Sequence, residues 1–326
     1  MHSFPTPTVS TKSTVKNIWI KGIHKMGKKI KKRMLGALEG GGTKFICAVG
    51  TIEGEILQEI RIPTTTPDKT LAYAARFFKQ FSPAAIGLGS FGPLDLNPDS
   101  PSYGCITATP KSGWAGVNLL TFFQDKFDLP ISLDLDVNVS VLGEHTFVPE
   151  NSTLDSMVYF TIGTGIGAGF IADRRIIHGL THPEAGHIKI PHDLTKDPFP
   201  GVCPFHNDCF EGLASGPAIS ARWGQPAESL PEDHPAWDLE VGYIASALVN
   251  IILILSPQRI ILGGGVMENR FLFPPIRERV IRILNNYLPS TVVPGKLDSF
   301  IIPPALSYRS GILGAIAMAR DSLLNA

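Results

Sequence analysis

The chain has 326 residues, 44% hydrophobic and 18% charged, enough for two domains with real cores and unlike the balance of a disordered or collagen-like protein. Its four cysteines form no even ladder of spacings, which argues against a disulfide framework and for a reducing, cytoplasmic setting. The formal net charge of zero hides an asymmetry: residues 1–33 hold nine Lys/Arg and no acid, so the rest carries 20 Lys/Arg against 29 acids.

That leader, with VKNIWIKGIHKMGKKIKKR at its end, is expected to be a basic, disordered extension dispensable for the fold. A membrane-touching arm or a transit-type segment are the alternatives, and the apolar run of a secretory signal is missing. Nothing basic and aromatic supports it elsewhere, so nucleic acid is not an expected partner. No window approaches the ~20 apolar residues of a membrane span. The nearest, YIASALVNIILILS, reads as a core helix, and no membrane partner is expected.

From Met34 the pattern is strand, Gly-rich turn, strand, strand (MLGALEGGGTKFICAVGTIEGEILQEIRIP). A helix follows (PDKTLAYAARFFKQF), then the strand AAIGLGSFGPLD, the helix VNLLTFFQDKF, the strand ISLDLD and the helix VNVSVLGEHTF. Near Asp155 the same idiom restarts in SMVYFTIGTGIGAGFIADRRIIHG. A segment rich in Cys and His leads to the helix EGLASGPAISARW, a Pro- and acid-rich loop, a long helix and the strand RIILGGGV. Another helix, the strand SFIIPPAL and the helix SGILGAIAMARDSLL complete the chain. Strands alternating with helices mean an α/β architecture. Two halves that each open with a Gly-turn hairpin would set the turns facing each other across a cleft. Such turns expose backbone N–H groups with no Cβ in the way, which suits phosphate.

The common phosphate motifs fail on spacing. No G-x-x-x-x-G-K-[ST] occurs, and no register of GTGIGAG gives G-x-G-x-x-G. Three Gly-rich turns remain, EGGGTKF from Glu39, TIGTGIGAG from Thr161 and LGGGV from Leu262, each weak alone and specific in this order. DLDVN offers Asp134 and Asp136 at a strand end, where alternate residues share a face, so both carboxylates are expected to reach the cleft unless Asp134 pairs structurally. His182 to Cys209 gathers four of the nine histidines and two of the four cysteines. Within it Cys203-x2-His206-x2-Cys209 has the spacing of three ligands around a tetrahedral Zn²⁺, with the fourth to come from His182, His187 or His192. Cys47 and Cys105 read as packing residues.

From Met34 onward the chain resembles the sugar kinases of the ROK group, within the actin/hexokinase-like ATPase superfamily. EGGGTKFICAVG, the DVN at Asp136 and CPFHNDCFEGLASGPA look most like its bacterial fructokinase branch. The resemblance implies a two-lobed, actin-like/ribonuclease H-like α/β fold with mixed sheets flanked by helices. Residues 34–148 would form one lobe, with helix 308–326 packing back on it, and residues 149–307 the other, carrying the zinc loop 182–209.

The resemblance also implies ATP, Mg²⁺ and a structural Zn²⁺, and a homodimer. Gly41, Gly42, Thr43 and Lys44, with Thr161, Gly163, Thr164 and Gly165, would hold the ATP phosphates; Gly263, Gly264 and Gly265 would lie at the adenosine. Asp136 would be the general base, Gly92, Glu184, His187 and Glu211 would meet the sugar, and His187, Cys203, His206 and Cys209 would bind the metal. His187 would thus serve both metal and sugar. Glu39 stands where much of the group has Asp, which leaves its contact with Mg²⁺ open. Trp114 reads as core.

Many glucose-phosphorylating relatives place Asn just before the catalytic Asp, where its amide contacts a sugar hydroxyl; here Leu135 stands there and cannot make that contact. The expected activity is therefore ATP-dependent phosphorylation of D-fructose to fructose 6-phosphate, with a broader hexokinase acting on mannose or N-acetylmannosamine as the runner-up. A sugar-sensing repressor would need a DNA-binding domain longer than the leader, and a filament protein would have no use for EAGH beside a metal loop.

Overall fold

The computed structural model describes residues 34–288 and 297–326, so the basic leader lies outside the described residues. The N-terminal half is a five-stranded sheet built from β1 (Leu35–Gly40), β2 (Lys44–Gly50), β3 (Ile56–Pro63), β4 (Ile86–Ser90) and β5 (Ile131–Leu135), in the order β3-β2-β1-β4-β5. Strand β1 pairs antiparallel with β2, Leu38 opposite Cys47, and parallel with β4, Leu38 opposite Leu88. These strands read as nearly continuous apolar runs because helices cover both faces. On one face lie α1 (Pro67–Phe81) and α2 (Leu119–Gln124), whose Phe78 and Phe123 meet Leu38, Leu88 and Trp114 in one cluster. Trp114 is fully buried between Phe45 and Phe91 and donates Nε1–H to the Thr65 carbonyl, as expected of a core residue.

The C-terminal half repeats the plan. Strands β6 (Met157–Ile162), β7 (Ile166–Ala172), β8 (Arg175–Ile176), β9 (Arg259–Gly263) and β10 (Ile301–Ile302) run in the order β8-β7-β6-β9-β10, with β6 antiparallel to β7 and parallel to β9. Helices α4 (Phe210–Ala214), α5 (Gly216–Trp223), α6 (Ala236–Leu255) and α7 (Phe273–Leu284) belong to this half, and α8 (Leu297–Phe300) leads into β10. By length and composition α6 is apolar enough to cross a membrane. Its Val241, Ile244, Leu248 and Ile252 are instead buried against β6 and β9, as a core helix requires.

One helix joins the halves, and the last helix packs against it. α3 (Asp136–Phe147) packs on β4, β6 and β7, and α9 (Ser310–Asn325), last in the chain, packs on β1, β4 and α3. Their crossing is so close that a Cβ at Gly143 would lie 2.2 Å from the Ser310 carbonyl oxygen.

Three sequence expectations change. Asp136 does not end a strand; it is the first residue of α3, after an extended Leu135. EGLASGPAISARW is two helices, because Pro217 lacks the N–H that would carry α4 onward and Ser215 starts α5 by accepting from Ala218 N–H. SFIIPPAL contributes only Ile301–Ile302 as strand, since the two following prolines offer no ladder donors.

Candidate active site

One cavity of about 920 Å³ takes its lining from the third Gly turn itself and from one residue flanking each of the other two. Lys44, Thr161, Gly263, Gly264 and Gly265 line it, together with Arg61, Tyr159 and Tyr308. Gly41, Gly42 and Thr43 form the turn just before Lys44, and Gly163, Thr164 and Gly165 the turn just after Thr161. The first turn closes through Gly41 N–H to the Lys44 carbonyl, and Thr64 braces it, donating its hydroxyl to the Gly41 carbonyl (2.8 Å) and its N–H to that of Thr43. In the second, Gly163 N–H reaches the Gly165 carbonyl and its own carbonyl accepts from Gly216 N–H (2.7 Å). Glu211 accepts the Ile166 N–H (2.8 Å), against a Gly165 whose Cβ would crowd that carboxylate. The third turn needs glycine at 264, where φ is +88° and a Cβ would strike the backbone of Ile162.

Asp136 stands at the start of α3 and lines the cavity; its Oδ1 accepts the Val137 N–H (2.8 Å). Burial pushes its carboxyl up to about 6, with backbone donors opposing. Glu39, at the end of β1, lines the same cavity. Burial first, then the Asp136 charge, raises it to about 7, and Lys44 opposes. Its Oε2 is buried without a hydrogen-bond partner, and it fits beside α9 only because Gly311 has no Cβ. An orphaned carboxylate oxygen near a second carboxylate suits a divalent cation.

Asp134 is buried and takes a different course from Asp136. Its Oδ1 accepts from Leu135 N–H and Asn138 Nδ2 (2.7 Å), and its Oδ2 lies 3.0 Å from His178 Nε2. The partnership with Asp134 raises the His178 pKa. Gly92, two residues past β4, leaves room filled by Leu135: a Cβ there would sit 2.6 Å from Leu135 Cδ2. Glu184 is raised to about 7 by burial, then by the charges of Glu211 and Asp136 nearby.

His187, Cys203, His206 and Cys209 offer ligand atoms all within 4.8 Å of one another. His187 Nδ1 lies 3.7 Å from Cys203 Sγ and 3.6 Å from Cys209 Sγ, and His206 Nδ1 lies 3.7 Å from Cys203 Sγ. Around a tetrahedral zinc with ordinary bond lengths, N and S ligands stand about 3.6 Å apart. The donor set fits. With Nδ1 of His187 turned to the thiols, its Nε2 is left for another partner. His192 belongs elsewhere, its Nε2 3.0 Å from the Asp197 carbonyl. His182 also stays out of the cluster: its Nε2 accepts from Leu94 N–H (3.3 Å).

Sequence reasoning missed Glu144, fully buried on α3 two turns beyond Asp136. It accepts from Ala305 N–H, Leu306 N–H (2.9 Å) and the Ser310 hydroxyl (2.7 Å), fixing the segment that brings Ser307 and Tyr308 to the cavity. Its eight-residue separation from Asp136 was legible, but its partners lie 160 residues away and leave no local signal. His178 and Arg61 were missed for the same reason.

The profile of the ROK family matches residues 35–322. A putative fructokinase of Bacillus subtilis (strain 168) is 48% identical over 290 residues, 89% of this chain and 96% of that protein. A fructokinase of Pediococcus pentosaceus is 43% identical, covering 90% and 100%. Among solved structures, a ROK hexokinase from Thermus thermophilus superposes with a TM-score of 0.73 at 23% identity, over 90% of this chain and all of that one. The actin-like fold expected from the sequence is the fold observed.

Proposed function

The chain belongs to the ROK family and is an ATP-dependent sugar kinase, and from that premise we propose that it phosphorylates D-fructose to fructose 6-phosphate, with Asp136 as general base. The observation that carries fructose is the identity of 43% to a fructokinase over nine-tenths of this chain. Leu135, apolar and buried beside Gly92, favours the same sugar by denying glucose an amide contact.

In this reading the sugar lies against Gly92, Glu184, His187 and Glu211. The two hairpin turns take the nucleotide phosphates, and Gly263 to Gly265 the adenosine. Asp136 accepts the proton of the attacking hydroxyl as its oxygen bonds the γ-phosphorus. The bond from that phosphorus to the β–γ bridging oxygen breaks, and ADP departs. A base near 6 is ionised at neutral pH yet basic enough to take a hydroxyl proton. Mg²⁺, when bound with ATP, neutralises phosphate charge. Lys44 adds a fixed cation, and Glu39, with its orphaned oxygen, is the protein carboxylate best disposed to that ion or its waters.

A zinc ion on His187, Cys203, His206 and Cys209 belongs to the same proposal and is structural, since four protein ligands leave no place for a reacting water. Its effect is to fix the loop bearing Glu184 and the start of α4, which bears Glu211. A cytoplasmic homodimer completes the reading, on the strength of the resemblance.

The test is ADP release with MgATP across fructose, glucose, mannose and N-acetylmannosamine, with Asp136→Asn alongside. Turnover is expected to be strongest on fructose, and the variant to lose on the order of 10²–10⁴ in kcat while sugar binding persists. A stronger preference for another hexose discards fructose, and loss of binding in proportion discards Asp136 as base.

A further inference from the structure

His182 was a metal-ligand candidate by spacing, and the fold puts it to another use. Its side chain is only 2% exposed. Leu94 N–H, in the turn following β4, donates to Nε2 at 3.3 Å across 88 residues of sequence. An accepting Nε2 fixes the tautomer of a neutral ring, with the proton on Nδ1. Burial does keep the ring neutral, holding His182 below the usual histidine range. Nδ1 is buried and makes no hydrogen bond in good geometry among the described residues, yet Glu184 Oε1 is 3.3 Å away and the Pro183 carbonyl is beside it. A buried donor without a good hydrogen bond is destabilising, and Glu184 Oε1 is an acceptor within reach of it.

We propose that His182 is a positioning residue for the sugar, clasping the Gly92–Leu94 turn with Nε2 and directing Nδ1–H at the Glu184 carboxylate, so that one ring couples the walls contributed by the two halves of the fold. When sugar enters, Glu184 turns its free oxygen to a hydroxyl and the other to Nδ1–H. The inference rests on the sugar-side reading of Glu184 above. It does not depend on which hexose is preferred.

The experiment is steady-state kinetics of the full chain and of His182→Asn, His182→Gln and His182→Ala, on whichever hexose the unaltered enzyme turns over fastest. Metal content and thermal midpoint are followed in parallel. The Asn amide stands near Nδ1 and keeps the half facing Glu184; the Gln amide stands near Nε2 and keeps the half facing Leu94. His182→Ala is expected to raise the sugar KM about tenfold, the worth of a hydrogen bond to a charged group, with the ATP KM moving less than about twofold. Each amide variant should fall between Ala and the histidine. A cycle with Glu184→Gln should be non-additive on sugar KM by more than about threefold. A parallel rise in both KM values, an unchanged sugar KM, or strict additivity with Glu184→Gln overturns the proposal. If the Ala variant fails to fold, the two amide variants and the cycle built on His182→Asn decide between the same outcomes. Preference for a hexose other than fructose overturns only the substrate assignment.

Discussion

The two hairpin turns are topological twins supported in opposite ways. The first, Gly41 to Thr43, is braced from its own sheet: Thr64, one residue past β3, holds it by side chain and backbone. The second, Gly163 to Gly165, is braced from outside its sheet, by Gly216 at the start of α5 and by Glu211 on α4. α4 begins directly after Cys209, one of the four clustered ligands. One Gly turn is therefore supported from within its own sheet, and the other stands on the segment that also carries Glu211. The two sheets share a strand plan but not the contacts that brace their turns.

Removing the proposed zinc should break that comparison most severely. Chelation, or Cys209→Ser, is expected to lower zinc from about one ion per chain to near none, given a four-ligand site. It should also raise hydrogen exchange at 161–167 while leaving 40–45 protected. Equal loosening of both turns, or zinc retained, would refute the asymmetry. A paired substitution sharpens it. Glu211→Ala leaves the Ile166 N–H unsatisfied, a cost of about 1–3 kcal/mol, and should raise the KM of both sugar and ATP. Thr64→Ala removes one hydrogen bond of about 1 kcal/mol and should raise the ATP KM about fivefold, with the sugar KM unmoved. A sugar effect from Thr64→Ala would mean the turns are not independent.

The smallest effect concerns what lies beneath α4. Arg222 holds the Leu213 carbonyl at the end of α4 and pairs with Asp197 (3.2 Å) and Glu240 (3.7 Å). Burial raises Glu240 to about 8, with Arg222 opposing and Asp197 adding. The folded state thus keeps the Glu240 proton that the unfolded chain releases near the ordinary carboxylate value. Stability from this group is complete below that value and is lost as pH rises to about 8. Glu240→Gln mimics the protonated form. Its Tm advantage over the unaltered chain should grow between about pH 5 and 8 and then level. A gap that is constant with pH would show that Glu240 is ionised throughout.

Much of this was legible because it is written in short-range pattern. Gly-rich turns between apolar strands, the spacing of Cys203, His206 and Cys209, and an Asp following a buried strand are local signals, and the fold and the ligand cluster match them. Within DLDVN the limit of that reading appears. Strand alternation sends Asp134 and Asp136 to one side, but the helix begins at Asp136 and turns the two carboxylates to different partners. EGLASGPAISARW carried its break in plain local signals, a capping Ser215 followed by Gly216-Pro217, so reading it as one helix passed over a legible stop and start. His182, Glu144 and His178 were illegible for one reason. Their partners at Leu94, Leu306 and Asp134 are brought to them by sheet closure, and a histidine or glutamate carries no mark of a partner 44 to 162 residues distant.

Asp136 and Glu144 ride a single helix, about 12 Å apart at 1.5 Å per residue. One end presents Asp136 to the cavity, and the other grips the Ala305–Ser310 strap that lines it. A helix of three turns is stiff, and the Gly143 contact leaves no side-chain cushion between it and α9. α3 therefore ties the strap and Asp136 into one stiff lever, and a displacement of the strap would reach the Asp136 carboxylate through the helix rather than be absorbed between them.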